Sequence, residues 1–181
     1  MLTQFADEIS FFIQKCELGY ILLAHNKNGI CAIFINDNPI TLSDALNKQY
    51  PTSKLILLPE KNHIMNTGLN TIIDYIETSR TNLDLPLDIQ GTPFQKQVWK
   101  ALQMIPKGNT ASYTDIANFI NYPKAVRAVA NACAANNLAI VIPCHRIIRK
   151  NGELSSYRWG IEKKRLLLEK EAKFINPNTL N

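Results

Sequence analysis

The sequence predicts an α/β protein: a small α/β unit at the N-terminal end, then a mainly helical unit carrying a helix-turn-helix pair. Three observations lead there. β-rich runs flank a turn-forming cluster in the first half, helical periodicity with explicit start signals takes over in the second, and the charge changes sign between them. Residues 1–85 hold six Lys and Arg against nine Asp and Glu, and residues 86–181 hold fourteen against six. The formal net charge of +5 thus lies in one half, as expected of a surface that meets a polyanion, although a solvated basic face gives the same count. The expected domains are 1–85 and 86–175, with 176–181 as a tail.

Tyr20–His25 and Ile30–Ile35 are β-rich runs around Asn26-Lys27-Asn28-Gly29, which together signal a hairpin. Thr41–Tyr50 reads as a short helix, and Leu69–Thr78 as another with Leu69, Ile72, Ile73 and Ile76 on one face. Leu83–Asp88, which contains Pro86, links the halves. In Thr92-Pro93-Phe94-Gln95, an N-cap Thr, a Pro at the first helical position and a Gln closing a capping box announce a helix. Phe94, Val98, Ala101, Leu102 and Ile105 continue it until Pro106-Lys107-Gly108. Ser112 with Asp115 starts a shorter helix through Ile120, Asn121 and Tyr122 turn the chain, and Pro123 opens a third helix to about Ala135. Two helices so closely joined form a helix-turn-helix candidate. A final helix follows Gly160, with Ile161, Lys164, Leu167, Leu168 and Glu171 spaced along it.

With 46% hydrophobic and 19% charged residues, the chain can bury a core and is not a disordered one. No run approaches the roughly 18 apolar residues of a membrane span, and Asp7 and Glu8 near the start argue against a secretory signal. A soluble, cytoplasmic, monomeric protein with no membrane partner is expected, and Cys16, Cys31, Cys133 and Cys144 are then reduced thiols. They form no C-x-x-C knuckle, and Cys16, His25, Cys31 and His63 are too irregularly spaced for a zinc set, so neither a metal nor another cofactor is expected.

Val141-Ile142-Pro143-Cys144-His145-Arg146-Ile147-Ile148-Arg149 sets a thiol where an apolar, strand-like run meets a basic one. A thiol reacts as thiolate, so a nucleophile needs a base or a positive field nearby. His145, Arg146 and Arg149 offer both. In an extended segment neighbouring side chains point to opposite faces, so a water or a bend would have to couple Cys144 to His145. Pro143 favours a bend. Taken alone, the dipeptide also fits a small buried thiol beside a core histidine.

Pro143-Cys144-His145-Arg146 resembles the active-site motif of the O6-alkylguanine-DNA alkyltransferases, the methylated-DNA–protein-cysteine methyltransferases. The surroundings agree in order from about residue 85 to 172: Gly91-Thr92-Pro93-Phe94-Gln95, Val98-Trp99, Ser112-Tyr113, Arg127-Ala128-Val129, Tyr157-Arg158-Trp159-Gly160 and Leu167-Leu168. The block from Cys133 to Trp159 is most similar to the alkyltransferase half of the bacterial adaptive-response proteins, whose separate zinc-bearing module a chain of 181 residues is expected to lack. The resemblance implies an RNase H-like N-terminal domain and a winged helix-turn-helix-like C-terminal domain. It further implies a DNA-repair protein that works by direct reversal on double-stranded DNA, approached from the minor groove. Such a protein flips O6-alkylguanine out of the stack and takes the alkyl group, chiefly methyl, irreversibly onto Cys144. O4-alkylthymine is a second candidate substrate.

By the same resemblance His145 is the base, acting on Cys144 through a water, while Glu171 orients its imidazole and Asn136 braces the active-site turn. Arg127 is the finger that fills the space of the flipped nucleotide, Tyr113 helps rotate its phosphate, and Ala128 belongs to the small-residue helix laid in the minor groove. Tyr157 and the backbone of Arg158 donate to guanine N3 and O6, the carbonyls of Cys144 and Ile147 accept from its exocyclic amine, and Cys133 joins the substrate-binding set. Ser156 and Asn121 stand where relatives have Gly, and Asn137 where Pro is frequent. The first departure is expected to narrow the pocket and the others to need only a modest backbone adjustment. Two other readings are a damage sensor that recognises alkylguanine without efficient repair, against which the presence of Cys144 counts, and an unrelated cysteine hydrolase, for which no spacing suggests an oxyanion hole.

Overall fold

The computed structural model describes residues 7–59, 63–79 and 83–175, with backbone alone at 63–66. The expected tail at 176–181 and the side chain of His63 lie outside the described residues. The hairpin foreseen around Asn26–Gly29 is present: β2 (Gly19–Asn26) and β3 (Gly29–Asn36) pair antiparallel from Tyr20↔Asn36 to Asn26↔Gly29. Two strands that the sequence pattern did not single out complete the sheet. β1 (Glu8–Cys16) pairs antiparallel with β2 and parallel with β4 (Lys54–Leu57), giving the order β3-β2-β1-β4. Ile21 to Ala24 and Ala32 to Ile35 are buried without alternation, the pattern of strands covered on both faces.

Helix α1 (Pro39–Gln49) starts two residues before the expected Thr41, because the Asn38 side chain caps it by accepting from the Ile40 N–H at 2.9 Å. It packs on β2 and β3 and buries Leu42 and Leu46. Helix α2 (His63–Thr78) adds Leu69, Ile72, Tyr75 and Ile76 to the core. The expected linker is stitched to the sheet edge. Ile30 donates its N–H to the Pro86 carbonyl at 2.8 Å, and Asp88 donates to the Ile30 carbonyl at 2.9 Å. Residues up to Ile89 accordingly group with the first compact unit, and the second runs from Gln90, with Thr78 and Ser79 grouped with it.

In the second unit the local start signals act as written. Helix α3 (Pro93–Gln103) carries the full Thr92–Gln95 capping box, and α4 (Tyr113–Phe119) the full Ser112–Asp115 box. After α3 the chain turns at Gly108, whose φ of +76° and contact with Ile175 leave no room for a side chain. Helix α5 (Val126–Ala134) packs against α3 and α4, and the Trp99 indole N–H donates to the Ala132 carbonyl at 2.8 Å. Helix α6 (Ile161–Ile175) buries Lys164, Leu167 and Glu171, and a two-residue parallel pair joins β5 (Ala111–Ser112) to β6 (Ile147–Ile148). Among the described residues, no helix is long and apolar enough to cross a membrane.

Two expectations need correction. Pro123 does not open the third helix: it lies in a turn, where Ala125 donates to the Tyr122 carbonyl, and the helix begins at Val126. Val141 and Ile142 are not strand-like, since Val141 donates to the Ala139 carbonyl at 2.8 Å and Ile142 to the Leu138 carbonyl at 3.0 Å, curling the run into tight turns.

Between α4 and α5, Asn121 adopts φ +62° while Tyr122 donates to the Ala117 carbonyl and Asn121 to that of Asn118. These paired bonds form a Schellman motif, whose left-handed position prefers Gly and next tolerates Asn. Asn121→Gly is therefore expected to raise stability by a few tenths of a kcal/mol to about 1, and Asn121→Val to lower it by about 1–2. Chemical denaturation measures both, and an unchanged valine variant would contradict the assigned backbone.

Candidate active site

Asn136 follows the end of α5 and is wholly buried. Its amide donates to the Ile142 carbonyl at 2.9 Å and to Cys144 Sγ at 3.2 Å, while its side-chain oxygen accepts from the Leu138 N–H at 2.8 Å. One side chain thus closes the turns that lead into Pro143. Cys144–Arg146 then form a single 3-10 turn, closed by the Ile147 N–H on the Cys144 carbonyl. The expected extended geometry, with Cys144 and His145 on opposite faces, does not apply, because a 3-10 turn separates successive side chains by about 120°.

Behind the turn, Glu171 reaches inward from α6. It accepts from His145 Nε2 at 2.8 Å, from Arg146 Nε and Nη2 at 2.9 Å each, and from the Gly108 N–H at 3.1 Å. Arg146 Nη1 also donates to the Ile105 carbonyl at 2.6 Å. Burial pushes the Glu171 carboxyl up, but the hydrogen bonds from His145 and Arg146 and the Arg146 charge outweigh it and hold the group below the usual carboxylate range. An ionised Glu171 fixes the histidine tautomer: Nε2 carries the proton, and Nδ1 is left as a lone pair. Nδ1 is buried and has no hydrogen-bond partner in the protein.

The Cys144 thiol opens on a cavity of about 30 Å³ walled by Tyr113, Ala130, Cys133, Ala134, Ser156 and Tyr157, enough to admit ordered water. Burial pushes the thiol up to about 11, against the opposing pull of the Asn136 hydrogen bond and the Lys164 charge. Ionising it at pH 7 would cost roughly 5 kcal/mol at about 1.4 per pKa unit. The resting sulfur is therefore a neutral thiol that needs a base when it reacts. The Tyr157 hydroxyl is also buried without a partner, and burial raises its pKa well above the usual value, keeping it a proton donor. Its ring stands edge-on to those of His145 and Trp159, with centroids 6.4 and 5.1 Å apart.

The structure therefore gathers Cys144, His145, Glu171, Asn136, Tyr113, Cys133 and Tyr157 around one thiol. Arg127 and Ala128 are exposed at the start of α5, about 10 Å along the axis before Ala134, so the helix that presents them also walls the pocket. On that small-residue helix Ala128 and Ala134 are exposed, whereas Ala132 is buried against the core. The Arg158 guanidinium is turned toward the Asn136 carbonyl at 3.0 Å and Asn137 Oδ1 at 2.8 Å. The Ile147 carbonyl already accepts from Lys164 Nζ and, at 3.0 Å, from Ser155 Oγ. Lys164 and Ser155 had no assigned role. Nothing in the sequence pointed to Ser155, whereas Lys164 shares a face of the last helix with Leu167 and falls among the residues that resemble the family. Among the described residues no group of three or more His, Cys, Asp or Glu could hold a metal ion.

Burial lowers the His145 pKa despite the opposing hydrogen bond to Glu171. The native ring stays neutral where an unfolded one, near 6.5, is charged. This contribution to stability is fully present above pH 6.5 and is lost below it, at up to about 1.4 kcal/mol per pH unit. Glu171 acts in the same direction lower down, its contribution fading as pH drops below the ordinary 4.5. Urea midpoints followed downward from about pH 7.5 should begin to fall near pH 6.5, and His145→Asn should remove the upper part of that fall. A flat wild-type profile between about pH 6.5 and 5 would exclude a buried neutral imidazole.

Comparison with known proteins accounts for both halves. Residues 11–89 match the family model of the ribonuclease-like domain of 6-O-methylguanine DNA methyltransferase, and residues 93–173 that of its DNA-binding domain. The chain is 46% identical over 164 residues to the bifunctional transcriptional activator/DNA repair enzyme Ada of Escherichia coli, covering 91% of this chain but only 46% of that protein. It thus spans about half the length of that relative. Against the inducible methylated-DNA–protein-cysteine methyltransferase of Bacillus subtilis it is 43% identical over 150 residues, 82% of each chain. The crystal structure of Mycobacterium tuberculosis OGT in complex with DNA is similar with a TM-score of 0.74 at 33% identity, covering 91% of this chain and 94% of that one. Matched in both halves and across most of its Bacillus relative, the chain belongs to the 6-O-methylguanine DNA methyltransferase family.

Proposed function

We propose that this protein repairs DNA by direct reversal, moving the alkyl group, chiefly methyl, from O6-alkylguanine in a duplex to Cys144 Sγ. Residues 86–175 act as the alkyltransferase domain and residues 1–85 as its support. The observation that carries this reading is a neutral buried thiol opening on a pocket beside an unpaired tyrosine hydroxyl, next in the chain to an imidazole held by a carboxylate.

A base inside a duplex cannot offer O6 to a sulfur, so the nucleotide must be flipped, at a cost of a few kcal/mol. The exposed face of α5 enters the minor groove and Arg127 occupies the vacated space, while Tyr113 helps turn the phosphate. The base sits against Cys144, with Tyr157 and the Arg158 N–H donating to N3 and O6. The Cys144 proton passes through a water to Nδ1 of His145, and the imidazolium is stabilised by Glu171. The sulfur attacks the alkyl carbon in line, the S–C bond forming as the C–O6 bond breaks. Guanine leaves with the electron pair, which the donors to O6 and N3 stabilise, and is reprotonated from the imidazolium through solvent. A thioether has no route back to thiol here, so each molecule acts once.

Intact-mass measurement after incubation with an O6-methylguanine duplex should show one added methyl group, mapped to Cys144, with repair stoichiometric in protein. Repeated turnover, or repair by Cys144→Ala, would sink the mechanism. Arg127→Ala should slow repair of the duplex by about 10-fold or more while sparing reaction with free O6-benzylguanine. Equal losses on both substrates would remove the finger role.

A further inference from the structure

Ser155 is buried, at 4% exposure, in the loop between β6 and α6. Its hydroxyl meets Tyr113 Oη at 3.0 Å, the Ile147 carbonyl at 3.0 Å and Lys164 Nζ at 2.7 Å. A serine hydroxyl has one proton to give and can accept two hydrogen bonds. The ammonium can only donate and the carbonyl can only accept, so the directions are fixed: Lys164 and Tyr113 donate to Ser155, and Ser155 donates to Ile147. Its capacity is then filled. Lys164, itself fully buried, also donates to the Ser155 carbonyl at 3.2 Å and to the Ile147 carbonyl.

These partners belong to separate walls of one pocket. Tyr113 begins α4 and lines the cavity; Ile147 follows the turn that carries Cys144; Ser156 and Tyr157, the next two residues after Ser155, form the remaining side. We propose that Ser155 is a positioning residue that sets the width of the alkyl-accepting pocket, its hydroxyl and the Lys164 ammonium clamping the Tyr113 wall and the 155–157 wall onto Ile147. This rests on the alkyl-transfer reading for its consequence, but the clamp itself can be observed without any reaction. A purely supporting residue would lower every rate alike. A residue that sets width changes the preference between alkyl groups, because a benzyl group needs a wider opening than a methyl group.

Ser155→Ala strips Tyr113 and Lys164 of an acceptor and Ile147 of a donor. It should slow methyl transfer from duplex DNA by about 10-fold, the worth of one buried hydrogen bond left unmade. Benzyl transfer should slow less, so the benzyl-to-methyl rate ratio rises severalfold. Ser155→Thr, which keeps the hydroxyl, should hold the ratio near wild type. Tyr113→Phe should cost little further in the Ser155→Ala background, since the partner of its hydroxyl is already gone. Independently of activity, the nitrogen–proton NMR correlation of the Lys164 ammonium should be shielded from solvent exchange in wild type and lost in Ser155→Ala. An unchanged ratio in a folded Ser155→Ala protein, or multiplicative losses in the double variant, would overturn the proposal. So would a Lys164 signal already lost to exchange in wild type. Failure of wild type to take up methyl while that signal is protected would instead refute the repair reading and leave the clamp standing.

Discussion

Glu171 enters the interior from the last helix and collects the His145 imidazole, the Arg146 guanidinium and the Gly108 N–H on one carboxylate. Taking that charge out of water costs several kcal/mol, and only close, charge-assisted hydrogen bonds repay it. The groups that do so belong to the reactive turn and to the turn after α3, so one electrostatic requirement brings three distant stretches of chain together. Once they are together, the imidazole can hold its proton only on the side of the carboxylate. Structural need and chemical readiness have the same origin.

The turn itself is held against a backbone preference. Ile140 is buried at φ +73°, a region that costs an L-residue on the order of 1–2 kcal/mol and more when the side chain is branched at Cβ. The compensation is local and polar. Asn136 bonds both ends of the 138–142 segment and then reaches Cys144 Sγ, so the residue that closes the strained turns also touches the sulfur. Asn136 follows the helix whose start exposes Arg127, which places that exposed side chain and the thiol on one short segment.

The same last helix supplies a second buried charge. Lys164 and Glu171 lie two turns apart on one face, with Leu167 between them. The carboxylate holds the His145 imidazole, and the ammonium bonds Ser155 and the Ile147 carbonyl. Burial lowers Lys164 to about 8, with the nearby thiols pulling the other way. The helix therefore serves less as an apolar prop than as a rod carrying two opposite charges to the two sides of the reactive turn.

Features that a few neighbouring residues settle among themselves are legible without the fold. The Thr92–Gln95 and Ser112–Asp115 boxes close within four residues, the hairpin forms across one turn, and both are present as written. The ordered motifs around Pro143-Cys144-His145-Arg146 were specific enough to point to the family to which the chain belongs. What needed tertiary structure was every feature made by partners far apart. Strands β1 and β4 pair across about half of the first unit, from Glu8↔Lys54 to Phe11↔Leu57, with no strict alternation in the sequence to announce them. Pro123 looked like a helix start, but the left-handed Asn121 and the turn at Tyr122 delay the helix to Val126. The apolar run before Cys144 resembled a strand because hydrophobicity alone does not distinguish a buried strand from a buried turn; Asn136 decided the matter with hydrogen bonds. Ser155 was silent for the same reason, and Lys164, though placed on the last helix and within the family resemblance, had no role there: each acquires one only when folding sets it against Tyr113 and Ile147, beyond the reach of any local pattern.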